Sequence, residues 1–552
     1  MNTIELQVWV LAGLLAFGSA IVATAEESNA TEGYMYHPVQ SGIEIRNGKR
    51  RLNRPLYSSV ERGHRLIALA GDRPEFMLMR ISATKRMQKL ANLKLGFADG
   101  PWLDMITPVL ARYDMGLQHY DLGEEGAGVE IDAVRAIGFE GLLIRVRCHR
   151  KSTGPLVLAI GGRGSDNYDR NPRAAAFNPR ECRGIRPAFA DNTLILSEKG
   201  ATVFATGSVP LNFTAADPNA VGNGPKALLG APAAKDAVAA LWAEWPKNGE
   251  LYFILTTDQP TSKGVRAYRV DPAKVFAEEV EMNRKLATAI EIDTPDSYLD
   301  AALPGALLAL NAAWNEPTFR HGAIAWHDSF AGWRVTYGAT TAGWHNRVQS
   351  HVRAFLSRQD EKGRIPAMLE SDQIYNTGEV FVDQALYDYE WTGNLDPLRK
   401  GGFDAIASHL AWGEKYMKTP DGLYENFLNA WNTDYKWCNG GGGTIASTYY
   451  WRANKTMAEI AVRLGRDPVV FRRRADEIAA AMKSRLWSEH TGVYGEYRDS
   501  LGLKLLHESP DLSSIYTPID LGFCNPFESY RMLRFALRRF ETVKGLPREG
   551  AL

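Results

Sequence analysis

Between Ala325 and Arg347 the chain reads AWHDSFAGWRVTYGATTAGWHNR, and side chains able to do chemistry crowd around one carboxyl. Asp328 stands among Trp326, His327, Trp333 and Arg334. A carboxyl can move a proton, an indole face can stack on a sugar ring, and a guanidinium can hold a hydroxyl or a second carboxylate. A helix-capping or turn aspartate is the plain alternative for Asp328. Trp344 falls within the helical run that begins near Val335 and suits internal packing.

Two further clusters carry acids. In IYNTGEVFVDQALYDYEW, Glu379 and Asp383 are four residues apart, which places them on one face of a helix capped by Asn376 or Thr377. That face is either a cleft wall or a solvated surface, and a first-turn acid also suits the helix dipole. Glu379 is a candidate for direct chemistry and Asp383 for substrate contact. In YENFLNAWNTDYKWCNGGGG, Glu425 and Asp434 flank Trp431, with Trp437 close behind. Such a segment can stack one sugar face and bind its hydroxyls, or simply pack as an aromatic loop. Gly440 to Gly443 permit a tight passage before the next helix. No HExxH, calcium-loop or clustered-thiolate pattern predicts a metal, no cofactor is expected, and no nucleophile elbow accompanies a triad.

These clusters need elements to position them. A chain of 552 residues exceeds one hydrophobic core, so at least two units are expected. Its 64 basic and 64 acidic residues balance, which argues against a nucleic-acid or anionic-membrane partner. Residues 1–25 read as a signal peptide: an apolar run ends in Ala23-Thr24-Ala25, although the start lacks Lys and Arg. The expected location is periplasmic or extracellular, with no stable membrane span in the mature chain; a retained membrane anchor is the alternative. Oligomeric state is not legible. Cys148 with Cys182, and Cys438 with Cys524, are possible disulfides, with separate buried thiols as the alternative.

Residues 31–270 carry short apolar or alternating runs such as EGLLIRVRC, LVLAIGG and ELYFILTT between Gly, Pro, Asn and Asp, which predicts a β-sandwich. AVRAIGF and KDAVAALWAEW are expected as short helices at its margin. Residues 271–552 change to a helical period, in segments such as EVFVDQALYDYEWTG and TIASTYYWRANKTMAEIAVRLG. Their junctions QDEKGRIP, TPDGLYENF and HTGVYGEY recur around Gly363, Gly422 and Gly492, which suggests a long repeat of paired helices.

HDSFAGWR, QDEKGRIP and ALYDYEWTGNLDPLRK together resemble the six-hairpin glycosidase superfamily. The resemblance implies a multidomain β + α protein: an N-terminal β-sandwich followed by an (α/α)6-like helical toroid with an acidic cleft at one end. About eight substantial helices follow the sandwich, fewer than the twelve of six hairpins, so either the ring is incomplete or short helices escape the pattern. By the same resemblance, junction carboxylates face the cleft. Asp328 and Glu379 are then the candidate acids, and the base that activates water is Glu425, Asp434 or, in the late junction HESPDLSSIYTPID, Glu508. Trp326, His327, Trp333, Arg334, Asp383, Glu425, Trp431, Asp434 and Trp437 become substrate contacts. The implied activity is glycoside hydrolysis of an oligosaccharide or polysaccharide, with inversion favoured. Alternatives are a polysaccharide lyase using Arg334, His345 and Tyr375, or a carbohydrate-binding protein without catalysis.

Overall fold

A computed structural model describes residues 36–548, apart from 40, 53, 57–65, 82–86, 124–127, 150–153, 164–175, 199–200, 234, 321–334, 367–368, 370–377, 426–440, 540 and 544–545. Asp328, Trp326, His327, Trp333, Arg334, Tyr375, Asn376, Thr377, Trp431, Asp434, Trp437 and Cys438 lie outside the described residues, as does the apolar leader.

The turn-punctuated apolar runs of the first half pair into two antiparallel sheets. One sheet runs, edge to edge, His37–Val39, Gly42–Arg46, Val109–Asp114, Leu117–Leu122, Val129–Arg135, Gly141–Cys148, Glu250–Thr256, Ala201–Gly207, Thr193–Glu198 and Ala188–Ala190. The other runs Asn212–Ala216, Val238–Ala243, Leu156–Gly161, Met87–Phe97, Glu75–Ile81, Leu66–Ala70 and Arg54–Leu56. Their inward residues form one core, in which Phe76 of the second sheet meets Tyr120 of the first edge-on at 6.1 Å. Part of AVRAIGF lies in the strand Val129–Arg135, and KDAVAALWAEW contains the strand Val238–Ala243, so neither expected helix forms. Val238–Ala243 is paired on both sides and nearly all buried, and that pairing outweighs the helical preference of its alanines. Cys148 and Cys182 do not form the disulfide considered from the sequence; Cys182 is a buried thiol whose pKa burial pushes up to about 12.

The chain divides into two compact units, one running through Asn311 and the next from Ala312. The first therefore keeps four helices, α1 (Pro225–Leu229), α2 (Lys263–Val270), α3 (Pro272–Ala287) and α4 (Ser297–Ala312), nearly to its end. The change of period near Pro272 is not the structural boundary, because α3 is latched to the sheet. Its Glu279 accepts the Ile137 amide at 2.6 Å, and its Asn283 donates to the Arg135 carbonyl at 3.1 Å. Arg135 itself is buried and donates to the carbonyls of Leu66, Ala136, Phe139 and Gly141.

The second unit is built from helical hairpins. Its described helices are α5 (Val335–Thr341), α6 (His345–Leu356), α7 (Gly378–Thr392), α8 (Phe403–Tyr416), α9 (Thr444–Arg463), α10 (Val469–Arg485), α11 (Leu512–Asp520) and α12 (Pro526–Arg539). α5, α7, α9 and α11 pack side by side, and α6, α10 and α12 cover them. This gives four hairpins among the described residues, an arc of an (α/α) toroid. A small β-turn precedes each pair: Trp314–Asn315 with Thr318–Phe319, Asp360 with Arg364, Lys418 with Tyr424, and Trp487–Ser488 with Val493–Tyr494. The three junction glycines sit in these turns at φ +92° (Gly363), +89° (Gly422) and +72° (Gly492), where a side chain is strained. Hairpin connectivity makes the four inner helices parallel, so the long junctions all enter at their N-terminal ends.

Candidate active site

That end is where the described acids gather. On α7, Glu379 and Asp383 are both buried, so their shared face is not a solvated one. Burial pushes the Glu379 carboxyl up to about 7 against the opposing pull of its own amide and the Tyr450 hydroxyl. Its Oε2 has no hydrogen-bond partner among the described residues. Tyr450 of α9 stands beside it, its hydroxyl electrostatically coupled to Glu379 but likewise without a well-formed hydrogen bond among the described residues, and is stacked on Tyr424 at 3.8 Å. Gly413 of α8 makes that placement possible, since a Cβ there would lie 2.2 Å from the Tyr450 hydroxyl.

One turn further, Asp383 binds three inner helices together. It accepts a short hydrogen bond from Tyr337 of α5, and Arg452 of α9 stands 3.9 Å away. Burial outweighs both partners and raises the Asp383 carboxyl to about 6. Arg452 also pairs with Glu390 of α7, which Thr456 holds at 3.0 Å. Asp388, on the same helix, accepts from His345 at 2.9 Å.

Around the first turn of α9 the junctions themselves meet. The strand Gly441–Gly443 pairs with Tyr497–Asp499 on one side and bridges Glu425 on the other. Glycine is required because a Cβ on Gly442 would lie 2.2 Å from Leu423 Cβ, and one on Gly441 2.2 Å from the Arg498 carbonyl oxygen. Glu425 accepts the Gly441 amide at 2.7 Å. Opposite it, the Glu496 carbonyl accepts the Thr444 amide at 3.0 Å, and the Glu496 amide donates to the His507 carbonyl at 2.8 Å. The Glu496 side chain is half-buried, and its carboxyl is pushed up to about 7 by burial and by the charge of Asp511. Asp511 caps α11 through the Ser514 amide at 2.7 Å and is itself raised by burial.

Glu379, Asp383, Glu425 and Glu508 of the hydrolase reading, and His345 of the lyase alternative, are thus described. Glu379, Asp383 and Glu425 come to the N-terminal end of the inner helices. Glu508 is half-exposed, accepting from Ser488 at 2.7 Å with His490 at 3.5 Å. Glu496, Tyr450 and Arg452 were not singled out by the sequence reading. Glu496 had a signal: after Gly422-Leu423-Tyr424 comes Glu425, and after Gly492-Val493-Tyr494 comes Gly495-Glu496, one residue later in the same junction.

No family model matches the sequence, and no curated protein matches it. Among solved structures, a bacterial glucoamylase complexed with acarbose aligns over 92% of this chain and 81% of its own, with a TM-score of 0.56 and 11% identity. A GH78 rhamnosidase of Bacillus sp. GL1 aligns over 64% of this chain and 38% of its own, at TM-score 0.41 and 12% identity. A GH63 mannosylglycerate hydrolase from Thermus thermophilus, in complex with glucose, aligns over 37% and 67%, at TM-score 0.30 and 16% identity. The likeness to the glucoamylase structure is one of fold, antiparallel sheets followed by paired helices, over most of this chain.

Proposed function

We propose that the chain is a glycoside hydrolase that cleaves an oligosaccharide by carboxyl acid/base catalysis at the N-terminal end of its inner helices. The observation that carries this reading is the gathering of acid-bearing junctions at that end, within a fold shared with a glucoamylase. In the proposed reaction Asp328 gives its proton to the glycosidic oxygen as the bond from that oxygen to the anomeric carbon breaks. Water attacks that carbon and loses a proton to Asp434, so the two carboxyls exchange protonation states over one turnover. Trp326, Trp333, Trp431 and Trp437 offer stacking faces for the sugar.

The test is incubation of the whole chain with a broad oligosaccharide panel, reading new reducing ends. Asp328→Asn and Asp434→Asn should each lower kcat by about a hundredfold or more. Sugar binding without product from the unsubstituted chain would refute hydrolysis, and an unsaturated uronate product would select elimination instead.

A further inference from the structure

At the exit of each of the first three hairpin turns stands a buried residue, Phe319, Ile365 and Tyr424, whose amide needs an acceptor. In the second turn the ring of His409 on α8 accepts the Ile365 amide through Nδ1 at 3.1 Å. In the first, Nδ1 of His351 on α6 accepts the Phe319 amide at 3.2 Å. The third turn meets the same need differently, with Ser447 Oγ accepting the Tyr424 amide at 3.0 Å. Phe319 and Ile365 open the junctions that run to α5 and α7; in the sequence the first carries Asp328 and the second leads to Gly378-Glu379. We propose that His351 and His409 are positioning residues of the hydrolase, each fixing the neck of one junction and through it the acid which that junction delivers. The inference rests on the glycosidase reading and adds residues that act through the junctions, not on the sugar.

The His409 ring touches both ends of its junction. Besides accepting the Ile365 amide it lies against Gly378, where a Cβ would stand 3.3 Å from ring atoms Cε1 and Nε2 and 3.9 Å from the Ile365 carbonyl oxygen. Only a glycine lets the ring come this close, and Glu379 follows directly in α7. An accepting Nδ1 carries no proton, so the ring is neutral with its proton on Nε2. Burial and the Arg364 guanidinium lower the His409 pKa to about 4, against the opposing charge of Asp360. Trp412 stacks on the same ring at 5.6 Å. His351 is held among Phe319, Phe355 and Phe381, with centroids 6.1, 4.9 and 6.2 Å away. Both rings are 2% exposed, so neither contact is shared with bulk water. Such anchors bear on rate because a displacement of about 1 Å in a reacting group can cost about a hundredfold.

The experiment replaces each histidine in the full chain with Asn, Gln and Leu. Asn carries an acceptor at the reach of Nδ1, Gln only at the reach of Nε2, and Leu none. Amide hydrogen exchange is read on peptides holding Phe319 and Ile365, and turnover of the sugar cleaved in the oligosaccharide panel is measured well below each unfolding temperature. The Leu and Gln variants should exchange the freed amide about tenfold faster and lose about tenfold to a hundredfold in kcat, with KM within about threefold. The Asn variants should stay within about threefold of the parent in both. Unchanged exchange in folded Leu and Gln variants overturns the anchoring. Faster exchange with parental kcat overturns the positioning role and leaves only a structural clamp. Equal losses by Asn and Gln also overturn it, because the place of the acceptor would then not matter. Where a Leu variant does not fold, the contrast between Asn and Gln decides. A parent chain that cleaves no sugar refutes the glycosidase reading and the positioning role with it, while the exchange contrast still reads the anchors themselves.

Discussion

Glu379 gives the sharpest link between burial and a measurable quantity. Its carboxyl is 5% exposed, lacks a partner for Oε2 among the described residues, and titrates at about 7 against an ordinary 4.5. A carboxyl raised in the folded state holds its proton more tightly there than in the unfolded chain. Its contribution to stability is fully present below the unfolded value and is lost as pH rises through about 7. At about 1.4 kcal/mol per pH unit, the loss across that window is roughly 3 kcal/mol. Glu379→Gln removes the titration but keeps the shape. The amide brings an N–H group that can cost about 1–3 kcal/mol if unmatched, so the informative quantity is the change of the difference with pH. Urea unfolding followed by far-ultraviolet circular dichroism, which reports the helical unit, should show the variant gaining roughly 3 kcal/mol on the parent between about pH 4 and about pH 8. A difference that stays constant over that range would refute the reasoning, because it would mean that Glu379 ionises in the fold as it does in water. The same variant tests the role of Glu379: retained hydrolysis makes it a structural acid, and abolished turnover with intact folding makes it a reacting one.

Gly442→Ala puts a Cβ 2.2 Å from Leu423 Cβ, so it should cost about 2 kcal/mol or more and weaken sugar binding by displacing Glu425; thermal unfolding and calorimetry check both. Gly413→Ala should push the Tyr450 hydroxyl off Glu379, destabilising the helical unit by about 1–3 kcal/mol, and a second substitution, Tyr450→Phe, should recover most of that loss. In the sheet unit, Arg135→Met removes the guanidinium from four carbonyl oxygens, of which those of Phe139 and Gly141 keep a backbone amide donor, and should cost about 1–3 kcal/mol in denaturant unfolding. A loss below about 1 kcal/mol would show that those carbonyls find other partners.

The legible parts of the fold were those in which local pattern and tertiary environment agree. Gly141–Cys148 alternates and is bounded by turns, and Thr444–Arg463 holds a helical period over five turns; both stand as read. Val238–Ala243 was misread because six residues rich in alanine carry no period that separates a short helix from a doubly paired strand. α11 escaped because nine residues containing Pro518 offer little helical signal; Asp511 and packing against α9 hold it. The domain boundary was misplaced because α3 has the periodicity of a toroid helix, and only tertiary contacts tie it to Arg135 and Ile137. Within the candidate site, Glu379 and Asp383 were found from helical spacing, which cannot show whether the shared face is wet or dry.

Glu425 and Glu496 expose a different reason for partial legibility. The turn glycines repeat because a left-handed residue reverses the chain before each inner helix, and this requirement is local. The acid after the turn has no such local duty, so its position can slip by one residue, as it does between Tyr424-Glu425 and Tyr494-Gly495-Glu496. Proton affinity is decided later still. Glu496 meets burial and Asp511, an environment that its own turn does not supply. The repeat brings carboxyls to one end of the helices, and the neighbours each junction acquires on folding decide which of them holds a proton. Replacing Asp511 with Asn should therefore lower the pH at which Glu496 ionises without moving its backbone, since the hydrogen bonds to Thr444 and His507 do not involve Asp511. Carboxyl titration of Glu496 by nuclear magnetic resonance reads that shift directly, and an unchanged midpoint would leave burial as its sole cause.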